Sequence, residues 1–368
     1  GRESIQESNA APENIQLFRV EPDEPHLWTP DDPFLYRAEI RAGRDNVEVY
    51  FGLRTIDIRS TGGAKRVCLN GKPVFLHGVL DQGYFAPGLM LPEDPSEYER
   101  DILRMKELGF NLLRKHIKLE PEQFYYDCDR LGMLVMQDMV NSGDYSFFRD
   151  TVLPTIGIGR SDRKARLSAR ERIFTEHAQQ TVSHLCSHPC IVAWTVFNEG
   201  WGQFDSDRHY GLFKEWDPSR LVDSTSGWFA QEKSDFDSRH IYFRTPEIKV
   251  GGKGGRPLFI SECGGYSLEA GGHGEPGPLN PGQSRKSYGY GGCKDSAELT
   301  GRIEALYEKM IIPAIPLGCC GCIYTQLSDI EDEINGLYSY DRSKCKVDKE
   351  TMLRISQKIR DSLDACTH

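Results

Sequence analysis

The feature that most limits the fold of this chain is a rhythm. From Val74 onward short apolar runs alternate with stretches of helical pattern, the apolar runs starting near residues 74, 112, 133, 191, 221, 239, 257 and 321. After "PVFLHGV" comes "PSEYERDILRMKELG", where Tyr98, Ile102, Met105 and Leu108 recur at helical spacing until Gly109 ends the run. Then come "NLLRKHI", "PEQFYYDCDRLG" with proline near its start and glycine past its end, and "MLVMQDM". Leu167, Phe174, Ala178, Val182 and Leu185 line one face of a longer helix ahead of the strand "CIVAWTVFNE". "LVDST", "RHIYF" and "PLFISE" read as strands, and "GCIYTQ" follows a helix at "SAELTGRIEALYEKM". In the fifth and sixth units, "RTPEIKVGGKGGR" offers a loop more readily than a helix. Eight alternating units in roughly 300 residues predict an α/β fold, a (β/α)8 TIM barrel with its site at the carboxyl ends of the strands. A doubly wound sheet would also alternate, but no G-x-G-x-x-G or P-loop follows any strand.

The first 58 residues have a different texture. "IQLFRV", "FLYRAEI" and "VEVYFGLRTIDI" are strand-like runs separated by turn-forming segments. Two or three strands are too few for an independent domain. The expected division is a β segment at 1–58 and the barrel at 59–368.

Charge and composition narrow the partners. Lys plus Arg number 45 against 55 Asp plus Glu, a formal charge of -10, which argues against nucleic acid or an anionic membrane surface. The most apolar stretch, Ile311 to Tyr324, is broken by Pro313, Pro316, Gly318 and Gly321, so no membrane span is expected. A small, neutral or weakly polar substrate fits better, and monomer and oligomer are equally compatible with the sequence. The 11 cysteines are odd in number and irregularly spaced, which favours reduced thiols and a cytoplasmic location. Cys319, Cys320, Cys322 and Cys345 lack the spacing of a zinc knuckle and read as small core residues, so neither metal nor cofactor is expected. No signal peptide is evident at the start, although the chain begins without methionine. Six basic residues between 160 and 172 read as a solvated helix start or loop.

Polar residues gather where the strands end. Asp81 follows the first strand, Arg114 and His116 the second, Asp138 the third, Asn198 and Glu199 the fourth. His240 and Tyr242 close the sixth, Glu262 the seventh, and Gln326 with Asp329 the eighth. Singly, each is ordinarily a hydrogen-bonded structural group, and a glutamate beside glycine is ordinarily a loop carboxylate. Together they predict a polar cleft, because a packed barrel interior is otherwise satisfied by Val, Ile and Leu. Glu199 in "WTVFNEG" and Glu262 in "LFISECGG" stand out as a pair. Two carboxyls about 5 to 5.5 Å apart are what a retaining glycosidase uses, one as acid/base and one as nucleophile.

The stretches "HPCIVAWTVFNEGWGQF", "DPSRLVDSTSGW", "PLFISECGGYSL" and "GCIYTQLSDIEDEINGLYSYDR" resemble family 2 glycoside hydrolases, the β-galactosidases, β-glucuronidases and β-mannosidases. The resemblance runs from about residue 20 to 348. It implies that Glu199 is the acid/base and Glu262 the nucleophile of a retaining, exo-acting β-glycosidase. It further implies that Asn198 holds the sugar 2-hydroxyl, that Tyr242 flanks the nucleophile, and that His116 belongs to an "R-x-S-H" segment in which Lys115 replaces the serine. "LWTPDDPFLYRAEI" and "VYFGLRTIDI" resemble the last strands of an immunoglobulin-like β-sandwich that precedes the barrel in this family. The rest of that sandwich and the amino-terminal jelly roll have no counterpart in this sequence, and Cys263 stands where relatives often carry an aromatic residue.

The family's glucuronidases carry Asn-x-Lys beyond the nucleophile. Here the motif occurs only at Asn70 to Lys72, which reads as a turn, so a glucuronide is disfavoured. Trp201 and Trp228 are equally readable as sugar platforms and as packing. The rival expectation is a chain that binds carbohydrate or a partner without turnover, and a metal-dependent hydrolase is a third.

Overall fold

The computed structural model describes residues 2–5, 18–140, 148, 152–153, 162, 168–242, 253–269 and 290–367. In chain order its strands are β1 (Arg2–Ile5), β2 (Phe18–Glu21), β3 (Tyr36–Ala42), β4 (Asp45–Phe51), β5 (Ile56–Thr61), β6 (Ala64–Leu69), β7 (Lys72–Pro73), β8 (Leu76–Asp81), β9 (Leu112–Lys115), β10 (Leu134–Asp138), β11 (Ile191–Thr195), β12 (Leu221–Asp223), β13 (Asp237–Ile241), β14 (Leu258–Gly264) and β15 (Cys319–Thr325). The last eight form one sheet in the order β12-β11-β10-β9-β8-β15-β14-β13. All seven strand pairings in this sheet are parallel.

The first and last barrel strands, β8 and β15, are thus neighbours, and the sheet wraps into a nearly closed barrel. Its seam lies between β12 and β13. There side chains do much of the joining: Ser238 Oγ donates to Asp223 Oδ2 at 2.7 Å and the Val222 amide to Asp235 Oδ2 at 2.7 Å, beside one backbone bond from Asp235 N to the Val222 carbonyl at 2.9 Å. Seven of the eight barrel strands are buried on both faces, β13 being partly exposed, which is why most appear in the sequence as apolar runs.

The helices shield the outside of the barrel. Helix α1 (Ser96–Glu107) buries Tyr98, Ile102 and Met105, the spacing read from the sequence. Helix α2 (Glu122–Leu131) ends on Gly132 at φ 70, where a Cβ would lie 2.3 Å from the Pro30 carbonyl oxygen. Only glycine fits that junction between the amino-terminal segment and the barrel. Helix α3 (Ala169–Leu185) starts with a capping box of Ser168 and Glu171 and buries Phe174, Ala178, Val182 and Leu185. Leu167 and most of the basic 160–172 stretch lie outside the described residues, and Arg170 and Arg172 are exposed. Most of "RTPEIKVGGKGGR" also lies outside them.

Before the barrel, β3 and β4 form a hairpin and β5, β6 and β7 a three-stranded sheet. The sequence run 47–58 was expected as one β stretch, but it divides between these two sheets. The division expected after residue 58 therefore falls inside β5. Arg54, in the break, donates to the carbonyls of Pro189 at 3.0 Å and Ser219 at 2.9 Å, tying the break to the ends of the barrel segments beside it. Cys319, Cys320 and Cys322 are buried in β15, as small core residues would be. No described helix is long and apolar enough to cross a membrane.

Candidate active site

Arg114, near the end of β9, is the hub of the barrel mouth. It is fully buried, and its Nε and Nη2 each donate at 3.0 Å to Asp138 at the end of β10. Nη1 reaches Glu262 Oε1 at 3.1 Å and the Ser261 carbonyl at 3.0 Å on β14, while Nη2 also reaches Asn198 Oδ1 at 2.8 Å. One planar fork therefore fixes side chains at three other strand ends, a task a lysine could not perform. Burial would raise the Asp138 carboxyl, but Arg114 and then His116 outweigh it and hold it below its usual range. His116 Nδ1 lies 2.9 Å from Asp138 Oδ2.

Glu199 stands four residues past β11, at φ 51, in the left-handed region that glutamate rarely occupies. Its amide donates to the Ser226 carbonyl at 2.9 Å, and an isolated bridge joins Asn198 to Ser226. The backbone thus leaves the β11 direction and turns the Glu199 side chain toward β13. There His240 Nδ1 lies 2.8 Å from Glu199 Oε1 and 3.5 Å from Glu262 Oε2, with Nε2 3.0 Å from Ser226 Oγ. The imidazole can sit this close to the β12 loop because Gly227 faces it. At φ 88, a Cβ on that glycine would come within 2.7 Å of the ring.

Glu262 is braced from two sides, by Arg114 on Oε1 and by the Tyr242 hydroxyl on Oε2. Tyr242 also bonds Thr325 Oγ1 at 3.1 Å and stacks on Tyr290, ring centres 3.7 Å apart. Burial pushes the Tyr242 hydroxyl well up, so it remains a donor. Ligand atoms of Glu199, His240 and Glu262 lie within 4.8 Å of one another. A carboxylate-imidazole-carboxylate set of this size can hold a divalent cation. Here its donor atoms are already engaged with one another and with Arg114 and Tyr242.

Burial pushes the Glu199 carboxyl up to about 7, although His116 and Arg114 pull it down. Burial also pushes His240 down to about 4, against the attraction of Glu262, so its ring is neutral at pH 7. Two carboxyls with opposite bonding surroundings therefore share one imidazole.

Of the other residues expected at the site, Gln326 is buried and bonded to Gln82, Glu333 and Asn335. Trp228 lies beside His240, ring centres 6.0 Å apart, and Trp201 is partly buried. Asp81 is turned elsewhere: its carboxylate accepts from Lys115 Nζ at 2.6 Å and from the Gly83 amide at 2.8 Å, in a buried cluster that includes Glu120. Asp329 is held by Lys346 Nζ at 2.6 Å. Sequence reasoning did not single out Glu333, Gln82, Tyr290 or Ser226. The first two have a readable signal, being polar residues within eight positions of a strand end, but many such residues face solvent.

The comparisons agree with this architecture. Residues 62–248, about half the chain, match the description "Glycosyl hydrolases family 2, TIM barrel domain", and residues 2–54 match "Glycosyl hydrolases family 2". A β-galactosidase of Aeromonas hydrophila is 32% identical over 236 residues, which are 62% of this chain and 21% of the relative. The chain thus spans about a fifth of that relative's length. Among solved structures, a GH2 β-galacturonidase from Eisenbergiella tayi aligns with a TM-score of 0.66 at 16% identity, covering 94% of this chain and 62% of that one. A Parabacteroides merdae β-glucuronidase aligns with a TM-score of 0.62 at 16% identity, covering 94% and 44%. These structural likenesses establish the fold. Together with the matched domains, they lead to the conclusion that the chain belongs to family 2 of the glycosyl hydrolases.

Proposed function

We propose that this chain is the catalytic part of a β-glycosidase that hydrolyses terminal β-linked sugars with retention of configuration. The observation that carries the reading is that a carboxylate oxygen of Glu199 and one of Glu262 lie within 4.8 Å of each other. That separation suits a direct nucleophile. An inverting enzyme needs about 6.5 to 9.5 Å to admit a water between its two carboxyls.

Glu199, with its pKa near 7, is a carboxylic acid for much of the neutral range and protonates the glycosidic oxygen. Glu262, braced by Arg114 and Tyr242, attacks the anomeric carbon as the bond to the leaving oxygen breaks, giving a glycosyl-enzyme ester. Glu199, now a carboxylate, takes a proton from the water that opens this ester and returns to its starting state. Neutral His240 orients Glu199 without adding a charge between the carboxyls. Asn198 bonds the sugar 2-hydroxyl with its amide, a role supported by the bond from Arg114 that fixes its Oδ1. His116, Tyr242, Trp201 and Trp228 contribute to the sugar site.

The partner is a small carbohydrate or glycoside. Eleven free thiols fit a reducing, cytoplasmic setting. Because the chain spans about a fifth of the relative it matches, binding without turnover is the second reading. A screen of nitrophenyl β-glycosides decides between them. The expected result is release of nitrophenol, with the β anomer as the first sugar product by proton NMR; an α anomer or no turnover of any glycoside contradicts the proposal.

A further inference from the structure

The loop after β15 contains four acidic residues, Asp329, Glu331, Asp332 and Glu333. The fold sorts them. Glu331 and Asp332 are exposed, Asp329 is paired with Lys346, and Glu333 is drawn back toward the barrel mouth and partly buried. Reciprocal backbone bonds between Ile330 and Glu333, at 3.0 and 2.8 Å, close the turn that presents it.

Its partners are two neutral amides. Glu333 Oε2 accepts from Gln82 Nε2 at 3.1 Å and from Gln326 Nε2 at 2.8 Å. Gln82 directly follows β8 and Gln326 directly follows β15, the adjacent first and last strands of the barrel. Gln82 also donates to Gln326 Oε1 at 2.8 Å, and Gln326 to Asn335 Oδ1 at 2.7 Å, so the clamp is fixed before any ligand arrives. Glu333 Oε1 meets no donor among the described residues, and none of their cations forms an ion pair with this side chain. Burying a carboxylate without a cation is costly, which makes the arrangement unusual for a purely structural group. Burial raises its pKa. Gln326, His116 and Gln82 act in the opposite direction and Glu262 adds to the rise, so Glu333 lies within the field of the site's charged groups.

The cations nearby are already committed. Arg114 serves Asp138, Glu262 and Asn198; Lys115 serves Asp81 and Glu120; Lys118 bonds Glu120 and the carbonyls of Gly83 and Met90. We propose that Glu333 sets the sugar preference of the pocket: Oε1 accepts a hydroxyl of a neutral glycosyl ring, and its charge turns away a uronic acid. This deepens, and rests on, the reading that a sugar ring sits between Glu199 and Glu262. Selection would come from repulsion as much as attraction. The β-galacturonidase and β-glucuronidase neighbours share the fold without requiring the same choice of sugar.

Binding tests this separately from turnover. Wild type, Glu333→Gln and Glu333→Asp are titrated calorimetrically at pH 8 with galactose, glucose and mannose, and with galacturonate and glucuronate. Wild type is expected to bind at least one hexose about tenfold or more tightly than the uronates, the size expected of a hydrogen bond to a charged group. Glu333→Gln should weaken that hexose about tenfold and narrow the preference, whereas Glu333→Asp, which keeps the charge but retracts it, should weaken the hexose and still reject uronates. Near-ultraviolet circular dichroism confirms that each variant folds, and a misfolded Glu333→Gln leaves Glu333→Asp to decide. A uronate preference in wild type, a preference unchanged in Glu333→Gln, or no hexose binding overturns the proposal. Preserved hexose selectivity without hydrolysis would instead overturn only the catalytic reading.

Discussion

His240 Nδ1 lies 2.8 Å from Glu199 Oε1, inside a barrel mouth where burial holds the imidazole neutral and the carboxyl partly protonated at pH 7. The pair gives an acid that works at neutral pH without a second positive charge beside Glu262.

A pH prediction follows from the sign of that shift. For substrates with poor leaving groups, kcat/KM should fall above about pH 7 as Glu199 loses its proton, and Glu199→Gln should remove this alkaline limb from its residual activity. A pH-rate profile on an alkyl glycoside checks it. A limb that survives in Glu199→Gln would assign it to another group.

The same shift weakens the fold at high pH. Below the ordinary glutamate pKa of 4.5, both folded and unfolded chains hold the proton. Between 4.5 and about 7 the unfolded chain ionises first, so stability declines as pH rises through the folded value. Glu199→Gln should therefore stabilise the protein at pH 8 by about 1 to 3 kcal/mol and change little at pH 4. Urea unfolding at the two pH values measures this difference.

Leaving-group dependence separates the two carboxylates. Glu199→Ala should retain much of its activity on dinitrophenyl glycosides and lose roughly 100-fold or more on alkyl glycosides, while Glu262→Ala should lose nearly all activity on both. Added azide should restore turnover in Glu199→Ala with a β-glycosyl azide as product. Equal losses on both substrates would count against the assignment.

Arg114→Met should leave Asp138 and Glu262 buried without their cation. The expected loss is about 3 to 5 kcal/mol in urea unfolding, and Arg114→Lys should recover only part of it because the fork to Asp138 is lost.

Much of this architecture is legible in the sequence. All eight barrel strands are found within three residues of their expected starts, chiefly because parallel strands buried on both faces, as all but β13 are, leave apolar runs. Arg114, Asp138 and Glu262 are legible because charged side chains in or directly after such runs need partners. Which sheet a strand joins is less visible. Alternation in 47–58 does not say that the chain breaks at Arg54, since that depends on carbonyls more than 130 residues away. Asp81 and Glu333 show the same limit. Asp81 is the last residue of β8 and Glu333 lies in the loop after β15, yet one turns to Lys115 and the other toward the mouth, and only local geometry distinguishes them.

The most direct test of the central claim is to incubate the intact protein with a 2-deoxy-2-fluoro β-glycosyl fluoride of the preferred sugar, digest it, and map the added mass. The account predicts one stable glycosyl adduct on the peptide containing Glu262, abolished in Glu262→Gln. An adduct on another residue, or continued turnover of the natural glycoside in Glu262→Gln, would contradict it.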